Sequence, residues 1–460
     1  MIELLRRAAE EGPDRAAVVI HEQVVSYGEL LARAEGYAAE LTSRGLRRFA
    51  TFDGDAARVI ALLAAASACG VELCQFPPAE PESVAELAAR FDHTVVLSAD
   101  PDLDAGDAEV LDHTVWPTVP GAAGAQSSPA ADARPHLILT TGTTGAPRGV
   151  RHDWSRLVRG VHRVRETPHE RWLLAYGLHQ FAGLQVLLHV AAARATLVAP
   201  APRTPRAGLR AMRELGVTHA SATPTYWRFL LTELAADGAP APSLRQITLG
   251  GEAVPGPLLA QLERTFPDAA ISQVYAASEF GSSGSVKDRR AGLSRSVLER
   301  GDDADVAMRI VDGELWVRSR VGMLGYHGDP PVEDPDGWRA TGDLVELVGD
   351  RVEFRGRSSD IINVGGTKVH PLPIEERVSS VPGVAVARVW GRPSALTGNI
   401  VAVDVVPAPG ADPARVKAAI GEACADLAGA ARPRSIRFVD EIPVRGSKIV
   451  RRDIPQEGRG

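Results

Sequence analysis

Residues 137–149 read LILTTGTTGAPRG, and the interpretation of the whole chain depends on this segment. Its three glycines permit positive φ angles and close backbone approach, and its four threonines offer hydroxyl and N–H donors to anionic oxygens. The apolar residues at its start predict a strand, so the loop is expected at a strand's carboxyl end, where open α/β sheets bind ligands. The spacing differs from that of the P-loop. The segment therefore predicts a loop that binds the phosphates of a nucleotide; the alternative is a surface turn rich in Thr and Gly.

Composition limits the class of protein. The chain has 460 residues, of which 45% are hydrophobic and 24% are charged, enough for large cores in two or more domains. A net charge of −7 gives no sign of the basic face that nucleic acid requires. The longest apolar run, residues 59–71, is shorter than the ~20 residues that cross a bilayer, and the N-terminus lacks the apolar core of a secretion signal. We expect a cytoplasmic protein with neither a nucleic acid nor a membrane partner.

Strands alternate with helices along most of the chain, which predicts an α/β fold with parallel sheets covered by helices. Ser26 and Glu29 form a capping box that begins one helix. The Ala-rich run at residues 59–71 predicts a buried helix. After Gly356 the composition changes to short strands and one amphipathic helix at residues 413–428, enough for a separate lobe of about 100 residues.

Three further segments place polar groups or bare backbone at predicted strand ends or turns. Residues 250–252 read GGE, and the two glycines leave a flat backbone on which a planar base could lie. Ser278 beside Glu279 could hold a phosphate oxygen and Mg²⁺, although such a pair is more often a helix cap. Residues 341–343 read TGD, and a carboxylate on a turn could accept both hydroxyls of a ribose; the alternative is a plain Asx turn.

In this order the segments resemble the adenylate-forming (AMP-binding) superfamily, which includes acyl- and aryl-CoA synthetases, luciferase-like enzymes and the adenylation domains of peptide synthetases. The resemblance covers residues 25–454. Its carriers are the loop at 140–149, YAASE at 275–279, RATGD at 339–343, GRSSD at 356–360 and PVRGSK at 443–448. Motifs that follow one another in the family's order support each other, whereas a single one is weak.

The resemblance implies how the fold is divided. Residues 1–358 would form a large N-terminal domain of stacked, mostly parallel sheets with helices plus a distorted barrel. Residues 359–460 would form a small mobile α+β domain that carries Lys448 and turns about a hinge at Ser359. The family usually has Asp or Lys at the hinge, but a serine can absorb the same change in φ and ψ.

The resemblance also implies that the chain binds ATP and Mg²⁺. The Thr/Gly loop would hold the β- and γ-phosphates, and residues 250–252 would border the adenine. Ser278 and Lys448 would contact the α-phosphate, with Glu279 on Mg²⁺. Asp343 would accept the ribose hydroxyls with help from Arg357. Lysine suits the α-phosphate because its compact charge sits on a flexible stem.

Coenzyme A would enter beside a glycine pair. Gly365 and Gly366 would leave a channel for the pantetheine arm, with Lys368 near phosphate; by sequence alone they could equally form a hairpin turn. The resemblance thus gives a catalytic set and a set that binds nucleotide or coenzyme A. The first comprises Lys448, Glu279 and Ser278, and the second Thr140, Thr141, Gly142, Thr143, Thr144, Gly145, Arg148, Gly250, Gly251, Glu252, Tyr275, Asp343, Arg357, Gly365, Gly366 and Lys368.

Several positions depart from the family's pattern. Arg148 replaces the usual Lys, and Ala276 replaces the usual Gly, which narrows the space beside the acyl group by a methyl. The segment before Lys448 is one residue shorter and lacks the preceding Gly; if this displaces the lysine, Arg445 is the next candidate. The arginines at 451–452 are expected on the surface or at an edge that faces a carrier protein.

The acid substrate is inferred from residues 172–183, which stand where the family's acyl pocket begins and contain neither Asp nor Glu. A buried ammonium group without a carboxylate partner is costly, so an α-amino acid is disfavoured. We expect an uncharged pocket for an aryl or a short to medium acyl acid, built from His179, Phe181, Gly183, Thr223, Tyr226 and Ala276. His179 fits a core or gating role as readily as a substrate contact.

Three functions are open at this point. The first is AMP-forming, ATP-dependent activation of a small carboxylic acid and its ligation to the thiol of coenzyme A. The second is loading of the acyl group onto a phosphopantetheinyl acyl carrier protein. The third is a catalytically silent nucleotide-binding protein, suggested by Arg148 and the altered motif before Lys448. Thioester formation with free coenzyme A separates the first two, and pyrophosphate exchange excludes the third.

Overall fold

The computed structural model of the protein describes residues 1–78, 83–118, 135–141, 147–301, 303–329, 336–445 and 448–451. Contacts between residues divide the chain into two compact units. The first contains residues 1–221, 276–283 and 319–334, and the second contains residues 222–275, 284–318 and 335–460. The sequence predicts a different boundary, between residues 358 and 359, at which one domain would rotate relative to the other. That boundary stays a prediction.

Helices and strands alternate over residues 1–222. The helices are α1 (Ile2–Glu11), α2 (Tyr27–Ser43), α3 (Ala56–Cys69), α4 (Val84–Arg90), α5 (Trp154–Arg159), α6 (Phe181–Ala193) and α7 (Pro205–Glu214). The strands are β1 (Ala16–Ile20), β2 (Gln23–Ser26), β3 (Arg48–Phe52), β4 (Glu72–Gln75), β5 (Val95–Ser98), β6 (Glu109–Asp112), β7 (Pro135–Thr141), β8 (Pro147–Asp153), β9 (Arg171–Leu174), β10 (Thr196–Val198) and β11 (His219–Ala222).

Strands predominate after residue 222. The helices there are α8 (Pro224–Asp237), α9 (Gly256–Thr265), α10 (Pro371–Ser379) and α11 (Pro413–Ala423), with short 3-10 helices at Arg295–Glu299 and Ser358–Asp360. The strands are β12 (Gln246–Gly250), β13 (Ala270–Ala277), β14 (Gly281–Val286), β15 (Leu293–Ser294), β16 (Val306–Val311), β17 (Glu314–Ser319), β18 (Gly325–Tyr326), β19 (Arg339–Val348), β20 (Arg351–Arg357), β21 (Ile362–Val364), β22 (Thr367–Val369), β23 (Val384–Ser394), β24 (Gly398–Pro407), β25 (Ser435–Phe438), β26 (Val444–Arg445) and β27 (Lys448–Ile449).

The first unit contains two groups of mostly parallel strands. One has the order β11-β9-β10-β1-β2, in which β2 runs antiparallel to β1 and the other pairs are parallel. The other has the order β18-β8-β7-β4-β3-β5-β6, in which β8 runs antiparallel to both of its neighbours. The buried faces of α1, α2, α3 and α6 belong to the largest apolar cluster. These parallel sheets with helices confirm the predicted α/β class.

The second unit contains one parallel pair, β12 and β13, the two-stranded β26–β27 sheet and two larger sheets. One has the order β15-β20-β19-β17-β16, with antiparallel β15–β20, β20–β19 and β19–β17 pairs, in the part of the chain where the resemblance implies a distorted barrel. The other has the order β22-β21-β24-β23, with β25 parallel to β24, and packs with α10 and α11 around its own apolar core. This α+β portion confirms that a C-terminal domain follows the large α/β part.

Local sequence signals correctly predicted several helices. The capping box of α2 is present: Ser26 N–H donates to Glu29 Oε2 at 2.8 Å, and Glu29 N–H donates to Ser26 Oγ at 3.2 Å. The Ala-rich run forms α3, which is buried along nearly its whole length. The helix predicted at 413–428 ends earlier, at Ala423, in a turn where Asp426 pairs with Arg377 of α10. Among the described residues, no helix combines the length and the apolar character that a membrane span requires.

A buried polar cluster joins α3 to the end of β6 in the first unit. The Asp53 carboxylate, 1% exposed, accepts from Arg58 Nε at 2.6 Å and lies 2.8 Å from His113 Nε2. Burial by itself would raise the pKa of Asp53, but the hydrogen bonds from His113 and Arg58 outweigh it and hold that pKa below its ordinary value. The cluster therefore stabilises the folded state only while Asp53 is ionised.

We expect Asp53→Asn to lower the free energy of unfolding at pH 7 by about 3 kcal/mol, because buried His113 loses its carboxylate partner and half-buried Arg58 keeps only the more distant carboxylate of Asp55. A carboxylate whose pKa is depressed by folding contributes stability above its unfolded pKa and loses it as the pH falls through the folded value. The difference between the variant and the native protein should thus shrink as the pH drops below about 4. Urea unfolding curves at pH 7, 5 and 3.5 measure this, and a difference that stays constant would contradict it.

Candidate active site

Strands β7 and β8, which precede and follow the central residues of the predicted phosphate loop, pair antiparallel. Thr140 faces Arg148 in the register of this pair, and Thr141 faces Pro147. Thr140 Oγ1 donates to the carbonyl oxygen of Arg148 at 3.4 Å. The central residues of the prediction, Gly142, Thr143, Thr144 and Gly145, lie outside the described residues. The strand that the sequence predicts before the loop is present as β7.

Arg148, on the β8 side of the loop, has two partners in the first unit. Its Nη2 donates to Asp329 Oδ2 at 2.8 Å, and its guanidinium carbon lies 3.5 Å from the ring centroid of Tyr326. The Tyr326 hydroxyl in turn donates to Glu279 Oε1 at 3.3 Å. Tyr326 thus links the cation beside the phosphate loop to the predicted Mg²⁺ ligand. Neither Tyr326 nor Asp329 was identified from the sequence, because each lies in a segment without a motif.

Ser278 and Glu279 follow β13 directly, as predicted. The backbone around Glu279 is fixed, because its carbonyl oxygen accepts from Met323 N–H at 3.0 Å and the next carbonyl, of Phe280, accepts from Ser319 Oγ at 2.6 Å. No group of three or more His, Cys, Asp or Glu side chains forms a metal site within the described parts of the chain. A single carboxylate on a fixed backbone fits Mg²⁺, which commonly takes one or two carboxylates and completes its shell with substrate phosphates and water.

In the second unit the structure brings the lysine of the last motif to the glycine pair that follows β12. Gly251 has a φ of +86°. A methyl group at this position would lie 3.2 Å from Lys448 Cε, 3.7 Å from Lys448 Nζ and 3.7 Å from Thr223 Cγ2. Lys448 therefore reaches over bare backbone that a side chain would obstruct. The shortened motif does not keep Lys448 from this position, and Arg445 is its partner in the β26–β27 hairpin.

Glu252 has a carboxylate that joins two parts of the second unit. Its Oε2 accepts from Thr225 N–H at 3.0 Å in the first turn of α8, and its Oε1 accepts from Ile449 N–H at 3.2 Å. Ile449 directly follows Lys448 in the chain. The sequence predicts that residues 250–252 border the adenine. The carboxylate of Glu252 is already bound to two backbone groups, so the backbone of this segment is the part left to border a base.

Asp343 stands between a tyrosine and an arginine. Its Oδ2 accepts from the Tyr275 hydroxyl at 2.7 Å, and its Oδ1 accepts from Arg357 Nε at 3.1 Å. Burial, reinforced by the charge of Asp343, raises the pKa of Tyr275 well above its ordinary value, so the hydroxyl stays a donor. The Tyr275 ring lies against Phe354 with the ring centroids 5.2 Å apart. The structure thus brings together three predicted site residues from separate motifs.

The predicted turn at residues 341–343 is wrong. These residues lie within β19, where Asp343 pairs with Arg357 of β20 in the antiparallel register. Gly342 has a φ of +77°, and its N–H donates to Glu314 Oε1 at 2.7 Å. An Asx or turn pattern and an irregular strand share the same residue types, and only the pairing with β20 distinguishes them.

Three predicted acyl-pocket residues lie close together in the first unit. His179 is half-buried with its ring over Gly177, since a methyl on Gly177 would meet the ring at 2.2 Å. Burial, reinforced by the charge of Arg203, lowers the pKa of His179 to about 4, so its imidazole is neutral at pH 7. Phe181 begins α6 and stacks on His152, with centroids 5.5 Å apart. His179 therefore adds no charge to this part of the predicted pocket.

Gly183 lies where a side chain would not fit, because the backbone of Gly177 occupies the space that a Cβ would need. A Cβ at Gly183 would lie 2.1 Å from the carbonyl oxygen of Gly177. We expect Gly183→Ala to force residues 175–180 apart from α6, to lower the free energy of unfolding by about 1–3 kcal/mol and to raise the KM for the acid. Gly421→Ala is the matched control, because Gly421 lies in α11 with no atom within 4 Å of the added methyl. Thermal unfolding and steady-state kinetics measure the effect; a variant as stable as Gly421→Ala would contradict it.

The remaining predicted pocket residues are placed as follows. Thr223 is buried and caps α8, its Oγ1 accepting from Tyr226 N–H at 3.0 Å. Tyr226 is buried in the first turn of α8, and burial raises its pKa. Ala276, at the end of β13, packs against the large apolar cluster of the first unit. Thr223 and Tyr226 lie in the second unit and His179, Phe181, Gly183 and Ala276 in the first.

Gly365 and Gly366 form the turn of the β21–β22 hairpin. Their φ angles are +57° and +85°, which glycine adopts without strain. Gly366 N–H donates to Asn363 Oδ1 at 3.0 Å, and Lys368 pairs with Asn363 in the hairpin. The hairpin alternative is thus present, and the role of this turn as a channel for pantetheine stays a prediction.

Arg451 is a correction to the sequence analysis, which expected it on the surface or at a carrier-facing edge. It makes two hydrogen bonds to Glu375 of α10, 3.0 Å from Nε to Oε2 and 2.6 Å from Nη2 to Oε1. Glu375 is 2% exposed. Burial alone would lower the pKa of Arg451, but Glu375 outweighs it and the pKa lies above its ordinary value. Neither residue has a motif that could have predicted a pair 76 positions apart.

Comparisons with known proteins identify the family. Residues 5–327 match the family model described as "AMP-binding enzyme", and residues 373–448 match "AMP-binding enzyme C-terminal domain". The chain is 26% identical to a 2-succinylbenzoate–CoA ligase from Bacillus licheniformis, over 97% of this chain and 98% of that protein. It is 28% identical to the fatty acid–[acyl-carrier-protein] ligase ScoC from Streptomyces coeruleorubidus, over 69% of this chain and 66% of that protein.

A solved structure shares the fold. The anthranilate CoA ligase AuaEII, in complex with anthranoyl-AMP, superimposes with a TM-score of 0.80 at 18% identity, covering 98% of this chain and 95% of that one. The first family model alone spans more than half of the chain. The chain therefore belongs to the family of AMP-binding enzymes.

Proposed function

We propose that this protein activates a carboxylic acid with ATP, releasing pyrophosphate, and transfers the acyl group from the resulting acyl-adenylate to the thiol of coenzyme A. The observation that carries the proposal is the position of Lys448. Its side chain lies beside Gly251, just after strand β12, where the backbone has no side chain of its own. A relative that matches almost the whole chain is a CoA ligase.

Charge neutralisation is the main task in the first half-reaction. A carboxylate oxygen attacks the α-phosphorus while the bond to the β-phosphate oxygen breaks, so two negatively charged groups have to approach each other. In this proposal the ammonium of Lys448 lies between the acid's carboxylate and the α-phosphate, and the Ser278 hydroxyl donates to an α-phosphate oxygen. Glu279 would hold Mg²⁺, which supplies further positive charge to the phosphate oxygens.

Recognition of the nucleoside is assigned to the second unit. Asp343 presents a carboxylate whose orientation is set by Tyr275 and Arg357, and a carboxylate can accept from both ribose hydroxyls. Gly250 and Gly251 leave backbone against which a planar base can lie. The loop at residues 140–149 and Arg148 would bind the β- and γ-phosphates. These groups orient ATP so that its α-phosphorus faces the acid.

In the second half-reaction the thiolate sulfur attacks the acyl carbonyl carbon, and the bond to the AMP oxygen breaks. We propose that residues 359–460 turn about Ser359 between the two steps, which withdraws Lys448 and brings the Gly365–Gly366 turn to the acyl group. Two adjacent glycines leave room for a pantetheine arm, and Lys368 sits beside them in the hairpin. Its ammonium would pair with phosphate of coenzyme A.

The acid is proposed to be an aryl acid or a short to medium acyl acid without a second charge. His179 is neutral at pH 7, Phe181 is aromatic, and Tyr226 keeps its proton, so these groups favour an uncharged body. The relatives with printed substrates include a 2-succinylbenzoate–CoA ligase and an anthranilate CoA ligase, and both acids are aromatic. 2-Succinylbenzoate also carries a second carboxylate, so in an activity test it probes whether a second charge is excluded. Ala276 narrows the space beside the acyl group by one methyl relative to glycine.

A carrier protein is the second candidate acceptor, and one relative favours it: ScoC is a ligase for an acyl-carrier-protein. The same chemistry serves both acceptors, because each ends in a phosphopantetheine thiol. The first test is ATP–pyrophosphate exchange with anthranilate, 2-succinylbenzoate and benzoate, and the second is thioester formation with free coenzyme A. Exchange without thioester formation would favour the carrier protein. No exchange with any acid of a wide panel would support the catalytically silent alternative and overturn the proposal.

A further inference from the structure

Lys448 belongs to a short segment, residues 448–451, that we call the lysine strand. The three residues that follow Lys448 have partners in the second unit. Ile449 packs in an apolar cluster with Val386 and Ile442, against Phe229 of α8. Val450 N–H donates to the carbonyl oxygen of Pro443 at 3.0 Å, and Arg451 is paired with Glu375. The position of the Lys448 ammonium therefore depends on what holds the residues after it.

Two side chains on the C-terminal side of residue 358, those of Arg388 and Glu375, anchor the lysine strand. Arg388 Nη1 donates to the Val450 carbonyl oxygen at 3.0 Å, and Arg388 is itself held by buried Asp404, its register partner on β24. Glu375 binds Arg451 and also accepts from Val389 N–H at 3.2 Å. These contacts join the lysine strand to α10, β23 and β24. They would turn with residues 359–460 and persist in both half-reactions.

Glu252 is different, because it joins the lysine strand to residues on the other side of that boundary. Its two carboxylate oxygens accept from Ile449 N–H and from Thr225 N–H. Thr225 lies in the first turn of α8, where the helix dipole favours a negative charge. Glu252 thus receives one donor from the body of the unit and one from the strand that delivers the lysine.

We propose that Glu252 is a positioning residue that docks the lysine strand for the first half-reaction and releases it for the second. The inference rests on the proposed function, since it needs Lys448 to act in adenylation. Ile449 is the next residue after Lys448, about 3.3 Å along an extended chain, so a bond to its N–H fixes the backbone that carries the ammonium. Breaking this bond frees the strand without disturbing the anchors at Glu375 and Arg388.

The competing role for Glu252 is a contact with the adenine, as residues 250–252 suggest by sequence. The two roles have different kinetic effects. A docking contact acts on the rate of adenylation and leaves the KM for ATP unchanged, whereas an adenine contact raises the KM for ATP. A purely structural role would affect both half-reactions equally.

The test uses the full-length protein with Glu252→Ala and Glu252→Gln, and Glu263→Gln as the matched control. Glu263 lies on α9 in the same unit, and its partner is the exposed Arg289. ATP–pyrophosphate exchange, with whichever of anthranilate and benzoate is active, reports the first half-reaction. Thioester formation from the synthetic acyl-adenylate and coenzyme A reports the second. Amide hydrogen exchange of the peptide that contains residues 448–451, in the protein without ligands, reports the docking contact directly.

We expect Glu252→Ala to lower kcat for exchange at least tenfold, to leave the KM for ATP within about twofold, and to leave the second half-reaction unchanged. Glu252→Gln, which keeps one acceptor oxygen, should have a smaller effect. Amide exchange at 448–451 should become faster in Glu252→Ala and not in Glu263→Gln. An increased KM for ATP with unchanged kcat, an equal loss in both steps, or unchanged amide exchange would each overturn the proposal. If neither acid supports exchange in the native protein, the activity proposed for these acids fails, and amide exchange alone decides the docking contact.

Discussion

Replacing Lys448 with alanine should lower the rate of ATP–pyrophosphate exchange by about 10²–10³-fold, the effect expected when one charge-stabilising group is removed from a preorganised site. The reason is electrostatic: without the ammonium, the carboxylate approaches the α-phosphate with one positive charge fewer. The geometry supports this role, because Lys448 reaches over Gly251 without any side chain between them. Exchange measured at saturating ATP and acid gives the rate constant directly.

The second half-reaction separates a catalytic role for Lys448 from a structural one. Thioester formation from the synthetic acyl-adenylate should be nearly unchanged in Lys448→Ala, because the acid is already activated. Lys417→Ala is the matched control, since Lys417 is an exposed lysine on α11 far along the chain from any motif. Lys448→Arg should recover only part of the rate, because the guanidinium fork is planar and longer than an ammonium. Equal exchange rates for Lys448→Ala and the native protein would remove Lys448 from the mechanism.

Asp343→Ala should raise the KM for ATP by about 100-fold with a smaller change in kcat. Two hydrogen bonds from ribose hydroxyls to a charged acceptor would be lost, and each such bond contributes about 1.5–3 kcal/mol. The carboxylate also sets the positions of its neighbours: Tyr275 would lose its acceptor at 2.7 Å and Arg357 its ion-pair partner. Calorimetric titration with ATP and the KM for ATP in pyrophosphate exchange both measure the loss.

Conservative variants divide this effect into its parts. Asp343→Asn keeps one acceptor oxygen and should lose about tenfold in ATP affinity. Tyr275→Phe keeps the carboxylate and removes only the group that orients it, so a loss of a few-fold is expected. If Asp343→Ala instead lowers kcat and leaves ATP affinity unchanged, the carboxylate acts on the reaction step rather than on the ribose.

Positioning by backbone contacts also bears on how the two half-reactions alternate. The lysine strand is held by Glu375 and Arg388 on one side and by Glu252 on the other. The bond between Glu252 and Ile449 crosses the boundary predicted at residue 358, and so does the apolar contact of Ile449 and Val386 with Phe229. A rotation of residues 359–460 that withdraws Lys448 would therefore break this charge-assisted hydrogen bond and this apolar contact. Contacts of this kind are compatible with repeated docking and release in each catalytic cycle.

Sequence determined the features of this protein that depend on neighbours within a few residues. The capping box of Ser26 and Glu29, the buried α3 helix and the strand before the Thr/Gly loop follow from local hydrogen bonds and from apolar periodicity. The order of short motifs was enough to identify the family, because each motif reflects the local backbone shape that a nucleotide requires. The roles assigned to residue types, such as a lysine for a phosphate or a carboxylate for a ribose, also come from the sequence, and they stay predictions.

Only the tertiary structure decided which distant groups meet. The Asp343 carboxylate pairs with Tyr275, 68 positions away, and the strand that holds Asp343 appeared in the sequence as a turn. Half-buried Arg451 pairs with buried Glu375, and Glu252 binds the N–H of Ile449, 197 positions along the chain. Such pairs carry no local signal, because their energy comes from burial and from partners that the folded chain supplies. The positions of the functional side chains therefore belong to the fold, whereas their chemical identities belong to the sequence.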